Sequence, residues 1–247
     1  MKKGNEPKKP DKPGNQEKPE KPKKPNNPGS ATMAKPVVAA QAAVKSKWRE
    51  YAESLIIAAL IAFVVRSFVV QAFKIPSSSM EPTLLIGDHL LVNRLSYVVK
   101  VPFSDIVLLH IKGPSRGDVV VFRYPEDRTK DFIKRVIAKE GDVVEIKDKV
   151  VYVNGQRADY PQAVFAEATI IPGSYSPRDN LDPVTVPKDS YFVMGDNRDR
   201  SLDSRFWGFV QYDDFVGRAL IIYFSWNGNS PDLFHYIRWT RIGHLIR

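Results

Sequence analysis

Three consecutive serines, Ser77 to Ser79, are the strongest candidates for a nucleophile in this sequence. Pro76 precedes Ser77 and Pro82 follows shortly after, and proline biases the residue before it toward extended backbone, so we expect a short, stiff, exposed loop. A plain Ser/Pro linker would have the same composition. A solvated linker, however, does not require the apolar residues that flank this loop on both sides: Phe73, Ile75, Met80, Leu84 and Leu85.

A serine becomes a useful nucleophile only when a neighbouring base accepts its proton. The chain has no cysteine, and none of its four histidines lies in a motif that suggests a base, so we interpret each as a structural or surface residue: His89, His110, His235 and His244. A lysine can serve as the base when burial among apolar groups lowers its pKa from about 10.4 to roughly 7–8. The base is therefore sought among lysines within apolar strands.

Lys134 is the best-placed lysine, since it lies within Asp131-Phe132-Ile133-Lys134-Arg135-Val136-Ile137. Successive residues of a strand face opposite sides of the sheet, so either Lys134 or Arg135 must point toward apolar neighbours. An edge strand that uses charges to prevent aggregation would show the same pattern. The run predicts a strand that carries a candidate general base.

A third polar segment, residues 195–208, follows the apolar residues 191–194. So many charges and amides directly after a buried strand predict a hydrogen-bonded network rather than scattered surface groups. In such a network Asp203 could hold Arg205 or Arg135, and a serine hydroxyl could orient an amine. A solvated turn is the alternative interpretation.

The elements that position these residues are expected to be β-strands. From residue 84 onward, short runs of β-branched and aromatic residues alternate with turn signals, including Gly-Asp pairs and Asn154-Gly155. No segment after residue 75 shows sustained helical periodicity. Residues 74–247 are therefore predicted to form a mainly antiparallel β domain, sheet-like or barrel-like, with residues 156–189 as an irregular insertion or small subdomain.

The segment before the serines is strongly apolar. Residues 55–73 provide 19 positions, about 28 Å of helix, which is close to the roughly 30 Å of a bilayer core. We therefore predict a transmembrane anchor helix over 48–73, in which Arg66 reaches the interface by snorkelling or the span is shifted. A cleaved signal peptide and a buried helix of a soluble protein are the alternatives.

The positive charge of the chain belongs to its N-terminal tail. Residues 1–50 carry 13 of the 37 Lys and Arg and 5 of the 28 Asp and Glu, which is +8 of the net +9. Residues 1–47 are predicted as a disordered Lys/Pro-rich tail on the cytoplasmic side, and residues 74–247 outside. The nearly neutral body argues against nucleic-acid binding. Without cysteine there can be no disulfide or Cys-ligated metal site.

The motifs together resemble those of the bacterial type I signal peptidases, a family of membrane-anchored Ser/Lys proteases. Four segments carry the resemblance, in the order that is typical of the family: residues 76–84, 116–122, 131–135 and 195–205. A single segment would be weak evidence, but four in order are specific. Ser78 departs from the pattern, because the family often has glycine there.

The resemblance implies a role for each site residue. Ser79 would be the nucleophile, Lys134 the general base, Ser77 an oxyanion donor beside the Ser79 backbone N–H, and Ser201 the residue that orients the Lys134 amine. Asp203 and Arg205 would be structural supports with Arg135 as a partner. The residues that would line shallow pockets for small substrate side chains are Phe73, Ile75, Pro76, Leu84, Phe132 and Ile133.

The function implied by the resemblance is removal of signal peptides from exported preproteins after Ala-x-Ala sites, at the bacterial cytoplasmic membrane and in contact with its lipid. No metal or cofactor is expected. Two other classes remain open. Self-cleaving repressors of the DNA-damage response use a similar Ser/Lys pair but need a DNA-binding domain, and a membrane-tethered β-domain could use the basic tail to recruit partners or anionic lipid.

Overall fold

The computed structural model describes residues 47–101, 104, 106–228 and 236–247. The predicted tail, except for Lys47, lies outside the described residues, as does His235.

Helix α1 spans Lys47–Val64 and continues into a π-helical turn over Val65–Val69. Alanine and leucine favour helix here, and Arg49 pairs with Glu53 one turn later at 3.2 Å. None of the α1 residues is buried. No helix within the described ranges is both long enough and apolar enough to span a membrane.

The predicted helix over 48–73 is wrong at its C-terminal end, because Val70–Lys74 forms strand β1. Its backbone pairs antiparallel with the following strand, from Val70 opposite Asn93 to Lys74 opposite His89. Valine and phenylalanine fit a half-buried strand as well as an apolar helix, and this pairing decides between them. Arg66 is exposed in the π-helical turn.

The described residues form thirteen strands, a few single-turn 3-10 helices and one further α-helix, α2, at Ser204–Trp207. After β1 the strands are β2 Asp88–Asn93, β3 Val98–Lys100, β4 Val107–His110, β5 Val119–Tyr124, β6 Asp127–Lys139, β7 Val143–Lys147, β8 Val150–Val153, β9 Gln156–Arg157, β10 Leu181–Thr185, β11 Ser190–Met194, β12 Val210–Gln211 and β13 Phe215–Ser225.

The main sheet has seven strands in the order β1-β2-β13-β5-β6-β11-β12, and every neighbouring pair is antiparallel. Its two edges are β1 and β12, and within the described residues no pairing joins them. The predicted mainly antiparallel β class is confirmed, but the barrel-like expectation is wrong, since the sheet stays open.

Apolar residues of the main sheet fill two of the three core clusters. One cluster lies beneath the serine loop and includes Met80, Leu84 and Ile222, all fully buried. A second gathers aromatic residues around Phe122 and Phe215. Strand β6 runs between β5 and β11, and its residues 134–138 are buried on both faces of the sheet.

A smaller sheet has the order β10-β7-β8-β9 and packs a third cluster that includes Val144 and Phe192. The segment 156–189 contributes its two outer strands, β9 and β10, to this sheet. Residues 158–180 between them form turns and an isolated bridge. The polar and proline-rich composition explains why regular strands occur only at the ends of the segment.

Strands β3 and β4 form a separate two-stranded hairpin. Val98 and Val107 face the aromatic core cluster. The opposite side of the hairpin exposes large apolar residues, with Leu108 60% and Leu109 58% exposed. These two leucines take no part in the packing of the hairpin against the core cluster.

Candidate active site

The serine loop connects β1 to β2 and is held by apolar anchors. Ile75 and Met80 are buried in the core cluster beneath the loop, and Leu84 donates its backbone N–H to the Met80 carbonyl at 2.9 Å. Ser77 remains exposed, whereas Ser79 is only 7% exposed. The apolar residues that flank the loop therefore bury Ser79, whereas the serines of a solvated linker would stay exposed.

Lys134 contacts the buried Ser79. The Lys134 amine lies 2.7 Å from Ser79 Oγ, and its Nζ also donates to the Ile133 carbonyl at 3.1 Å. The residue sits on β6 opposite Val120, is 4% exposed, and places its amine 5.5 Å from the centre of the Phe132 ring. The charged edge-strand interpretation of this run does not apply, because β6 is an interior strand.

The environment favours the neutral amine. Burial lowers the pKa of Lys134 from 10.5 to about 8; Arg205 acts in the same direction, while Asp203 and Asp196 oppose it. An amine with this pKa has an appreciable neutral fraction near neutral pH. The pair can therefore perform nucleophilic acyl transfer, with serine as nucleophile and lysine as base.

Ser77 and Ser201 differ in their contacts with the Ser79–Lys134 pair. Ser77 Oγ lies 3.5 Å from Ser79 Oγ, at the outer limit of a hydrogen bond. Ser201 is buried nearby, but no hydrogen bond joins its hydroxyl to the Lys134 amine among the described residues; that amine contacts Ser79 and the Ile133 carbonyl instead. The structure thus places Ser77 Oγ 3.5 Å from Ser79 Oγ and leaves Ser201 without the predicted contact to Lys134.

The segment 195–208 is a buried network and not a solvated turn. Asp203 accepts two hydrogen bonds from the Arg205 guanidinium at 2.8 and 2.9 Å and one from the Gly195 backbone N–H at 3.0 Å. Burial alone would raise the pKa of Asp203, but Arg205 and the Gly195 N–H outweigh burial and lower that pKa. The network keeps two opposite charges buried close to Lys134.

Arg135 has a different partner from the one expected. Its guanidinium pairs with both carboxylate oxygens of Asp196 at 2.8 and 2.7 Å, and not with Asp203. Arg135 also donates to the Gly117 carbonyl at 2.7 Å, and Asp196 accepts from Thr83 Oγ1 at 2.5 Å. The expectation that Arg135 joins the Asp203–Arg205 pair is therefore wrong, since its side chain leaves β6 toward the loop at residues 195–197.

A family model described as "Signal peptidase, peptidase S26" matches residues 48–226 of the chain. This match includes the loop of Ser79, strand β6 with Lys134 and the whole buried network. The chain belongs to the signal peptidase family S26. Signal peptidases of this family are serine peptidases, so the protein is a hydrolase of peptide bonds.

Curated relatives agree over most of the chain. The signal peptidase I of Pseudomonas fluorescens is 36% identical over 224 residues, which cover 78% of each chain, and that of Aquifex aeolicus strain VF5 is 35% identical over 75% of this chain and 87% of its own. A solved signal peptidase I from Enterococcus faecalis V583 has 32% identity and a TM-score of 0.36, over 44% of this chain and 97% of that chain.

The residues expected to line the substrate pockets differ in how deeply they are buried. Ile75 and Leu84 are buried in the core beneath the loop. Pro76 is exposed. The remaining three are partly buried, with Phe132 stacked on Tyr124 at a ring separation of 4.3 Å: Phe73, Phe132 and Ile133. Ile75 and Leu84 are therefore core residues in this structure.

Asn197 is a residue of this signal peptidase site that sequence reasoning missed. Its backbone N–H donates to the Ser79 carbonyl and its side-chain Nδ2 to the Ser78 carbonyl, both at 3.2 Å. Together with Asp196 and Thr83, it joins the polar segment to the serine loop. The signal that could have pointed to it is its place between two charged residues directly after a buried strand.

Proposed function

We propose that the protein removes signal peptides from exported preproteins with Ser79 as nucleophile and Lys134 as general base. One observation carries the proposal: a buried lysine amine lies 2.7 Å from the hydroxyl of a buried serine. The low pKa of that amine, about 8, supports its action as a base. The family supports signal peptide removal as the overall activity.

Acylation begins when neutral Lys134 takes the Ser79 hydroxyl proton while Oγ attacks the scissile carbonyl carbon. The negative charge that develops on the carbonyl oxygen would be stabilised by Ser77 Oγ and the Ser79 backbone N–H. That N–H makes no hydrogen bond within the described residues. Protonated Lys134 then gives its proton to the leaving amine, and the bond between carbonyl carbon and nitrogen breaks to leave an acyl-enzyme.

Deacylation uses the same groups in reverse order. Lys134, neutral again, takes a proton from a water molecule whose oxygen attacks the Ser79 ester. The tetrahedral intermediate collapses, Ser79 Oγ leaves and recovers its proton from Lys134, and the released signal peptide has a new carboxylate. Ser201 would contribute to Lys134 orientation only if its hydroxyl moved toward the amine in the substrate complex.

We propose selection of small side chains at the first and third positions before the cut. Pro76, Phe73, Phe132 and Ile133 would form the walls of two shallow depressions above the buried Ile75 and Leu84. A floor already filled by core side chains leaves little depth, so alanine fits and larger residues do not.

We also propose that the protein acts at the bacterial cytoplasmic membrane, with its tail inside and its catalytic domain outside. Exposed apolar residues of α1, such as Leu55, Ile57 and Ile61, support contact with lipid. The proposed nucleophile follows the helical segment closely: Ser79 is ten residues after Val69, where the π-helical turn ends, and so at most about 35 Å from it. A substrate that emerges from the bilayer would reach it directly.

The experiment is cleavage of a detergent-solubilised precursor with an Ala-x-Ala site. Ser79→Ala and Lys134→Met should abolish cleavage, whereas Ser78→Ala, on the neighbouring serine, and Lys130→Met, an exposed lysine on the same strand, should retain it. Circular dichroism would verify that each variant is folded. Cleavage by Ser79→Ala at the rate of the parent would refute the dyad, and failure of the parent on several precursors would favour a non-enzymatic tethered domain.

A further inference from the structure

One backbone carbonyl of the serine loop accepts two hydrogen bonds. The Ser78 carbonyl accepts from the Glu81 backbone N–H at 3.1 Å and from Asn197 Nδ2 at 3.2 Å. The first bond closes a tight turn over residues 78–81, and the second comes from the polar segment after β11. Both lone pairs of this oxygen are engaged, so the direction of the carbonyl is set by the loop and by Asn197 together.

The direction of the Ser78 carbonyl also sets the direction of the Ser79 backbone N–H. The peptide bond between these two residues is trans, so its N–H points away from its C=O. Because the carbonyl faces Asn197, the N–H faces the opposite side, where it makes no hydrogen bond within the described residues. The proposed mechanism uses this N–H as an oxyanion donor. The orientation of that donor therefore depends on a contact at the other end of the peptide group.

The side chain of Asn197 has one hydrogen-bond partner in the part of the chain that the structure describes, the Ser78 carbonyl. Asn197 is 5% exposed, and none of the described donors contacts its Oδ1. An amide turned over would place Oδ1 against the Ser78 carbonyl oxygen, and two acceptors would then face each other. The contact with Ser78 therefore decides the orientation of the amide.

The backbone of Asn197 is well supported. It forms a parallel bridge with Val164, which donates its N–H to the Asp196 carbonyl at 2.8 Å and accepts from the Arg198 N–H at 2.9 Å. The Asn197 backbone N–H donates to the Ser79 carbonyl at 3.2 Å. A side chain on a backbone held on both sides can keep its target in one position.

We propose that Asn197 is a positioning residue for the oxyanion site: its side-chain amide holds the Ser78–Ser79 peptide so that the Ser79 N–H faces the substrate carbonyl oxygen. The inference rests on the proposed function and adds to it a residue that donates no hydrogen bond to Ser79 Oγ within the described residues. Loss of the amide leaves the turn bond from Glu81 in place, so the Ser79 N–H becomes misaligned but is not removed.

The test compares Asn197→Ala and Asn197→Leu with the parent in steady-state cleavage of a precursor with an Ala-x-Ala site. Leucine retains the volume of asparagine but cannot donate, so it would restore a role in filling space and not a role as donor. We expect kcat to fall by about 10- to 100-fold in both variants, less than the roughly 10²–10³-fold typical for removal of an oxyanion donor. KM should change by less than about threefold.

Two further measurements separate positioning from a merely structural role. A peptide aldehyde that ends in Ala-x-Ala probes the oxyanion: Ser79 Oγ adds to the aldehyde carbon, its proton passes to Lys134, and the aldehyde oxygen becomes the oxyanion. The inhibition constant of this aldehyde should rise by about the factor by which kcat falls. The pH at the midpoint of the rising limb of kcat/KM should equal that of the parent, because the charges that shift the pKa of Lys134 remain in place.

The matched control is Asn180→Ala. Asn180 Nδ2 also donates to a backbone carbonyl, that of Ile171 at 3.1 Å, but both residues lie in the segment between β9 and β10. Asn180 Oδ1 accepts from the Asp148 N–H as well, so this replacement should lower the thermal unfolding midpoint at least as much as Asn197→Ala. It should leave kcat and inhibition by the aldehyde unchanged.

A kcat of Asn197→Ala within threefold of the parent, or recovery of activity in Asn197→Leu, would overturn the proposal. A rise in KM without a fall in kcat, or a shift in the pH midpoint, would also overturn it and would assign Asn197 to substrate binding or to Lys134. If neither variant folds, Asn197→Ser decides by the same criteria, because its hydroxyl keeps a polar group there but ends short of the Ser78 carbonyl. Failure of the parent to cleave any precursor would instead refute the proposed function itself, so the two failures are distinguishable.

Discussion

The backbone of Gly195 lies against the main-chain carbonyl of Ser79 with no space for a side chain. A Cβ atom at position 195 would be 2.3 Å from the Ser79 carbonyl oxygen and 2.3 Å from Ser201 Oγ. Real Cβ atoms do not approach other atoms so closely, so something would have to move. Since the Ser79 carbonyl is backbone, the movement would include Ser79, the proposed nucleophile.

We expect Gly195→Ala to reduce kcat by about 100-fold or more, because displacement of a reacting group by about 1 Å has an effect of this size. We expect the variant to remain folded, with a decrease in the thermal unfolding midpoint that is too small to explain the loss of kcat. Kinetics on a precursor and a thermal scan of the same preparation would measure both effects.

The control for this prediction is Gly173→Ala, outside the site. Its Cβ would have its nearest neighbour at 3.3 Å, and the residue has no positive φ. Activity of Gly195→Ala within a few-fold of the parent would mean that the serine loop adjusts without loss of geometry, contrary to the expectation.

Sequence reasoning could anticipate the contact between Ser79 and Lys134 but not the geometry around it. The alternation around Lys134 and the apolar frame of Ser79 are local signals, and the antiparallel sheet brings them together. The partner of Arg135, by contrast, could not be predicted. Asp196 and Asp203 lie in the same polar segment, and only the path of the chain after β11 places Asp196 next to Arg135. No local pattern distinguishes the two carboxylates.

The end of α1 was unpredictable for a related reason. Residues 65–73 are apolar and β-branched enough for either a buried helix or a half-buried strand. Pairing of Val70–Lys74 with β2 makes the difference, and this is a long-range interaction that periodicity does not contain.

Ser77→Ala tests the oxyanion site. Removal of one oxyanion donor typically lowers kcat by about 10²–10³-fold, which is about 3–4 kcal/mol of transition-state stabilisation. KM should change little, because the interaction forms mainly in the transition state. Steady-state kinetics on a precursor would separate kcat from KM.

Ser78→Ala is the matched variant for this measurement, since the backbone carbonyl of Ser78 and not its hydroxyl contacts Asn197. A Ser77→Ala variant with kcat within threefold of the parent would assign the oxyanion site to other donors.

The pH dependence of cleavage should report the pKa of Lys134. With that pKa at about 8, kcat/KM should rise with pH and level off above about 8, because the neutral amine is the base. Phe132→Ala should expose the amine to water, which reduces the effect of burial and moves the rising limb to higher pH.

Phe132→Leu retains most of the apolar cover and should move the limb less. The midpoint of the limb is the decisive quantity, since both substitutions could also change substrate contacts and so the height of the profile. An unchanged midpoint in Phe132→Ala would mean that the Phe132 ring does not shield the amine.

Lys134 should also make the stability of the protein depend on pH. The folded pKa, about 8, lies below the reference value of 10.5, so between these values the unfolded chain binds a proton that the folded chain has lost. Stability therefore rises with pH across this window, by about 3 kcal/mol for a shift of this size.

In Lys134→Met the contribution is absent, so the stability of the parent relative to this variant should increase by about that amount from pH 8 to pH 10.5. Urea unfolding of both proteins in detergent would measure this difference in unfolding free energy, with Lys130→Met as the exposed-lysine control. If the difference stays constant across this window, the amine of Lys134 keeps its ordinary pKa in the folded protein and is no base near neutral pH.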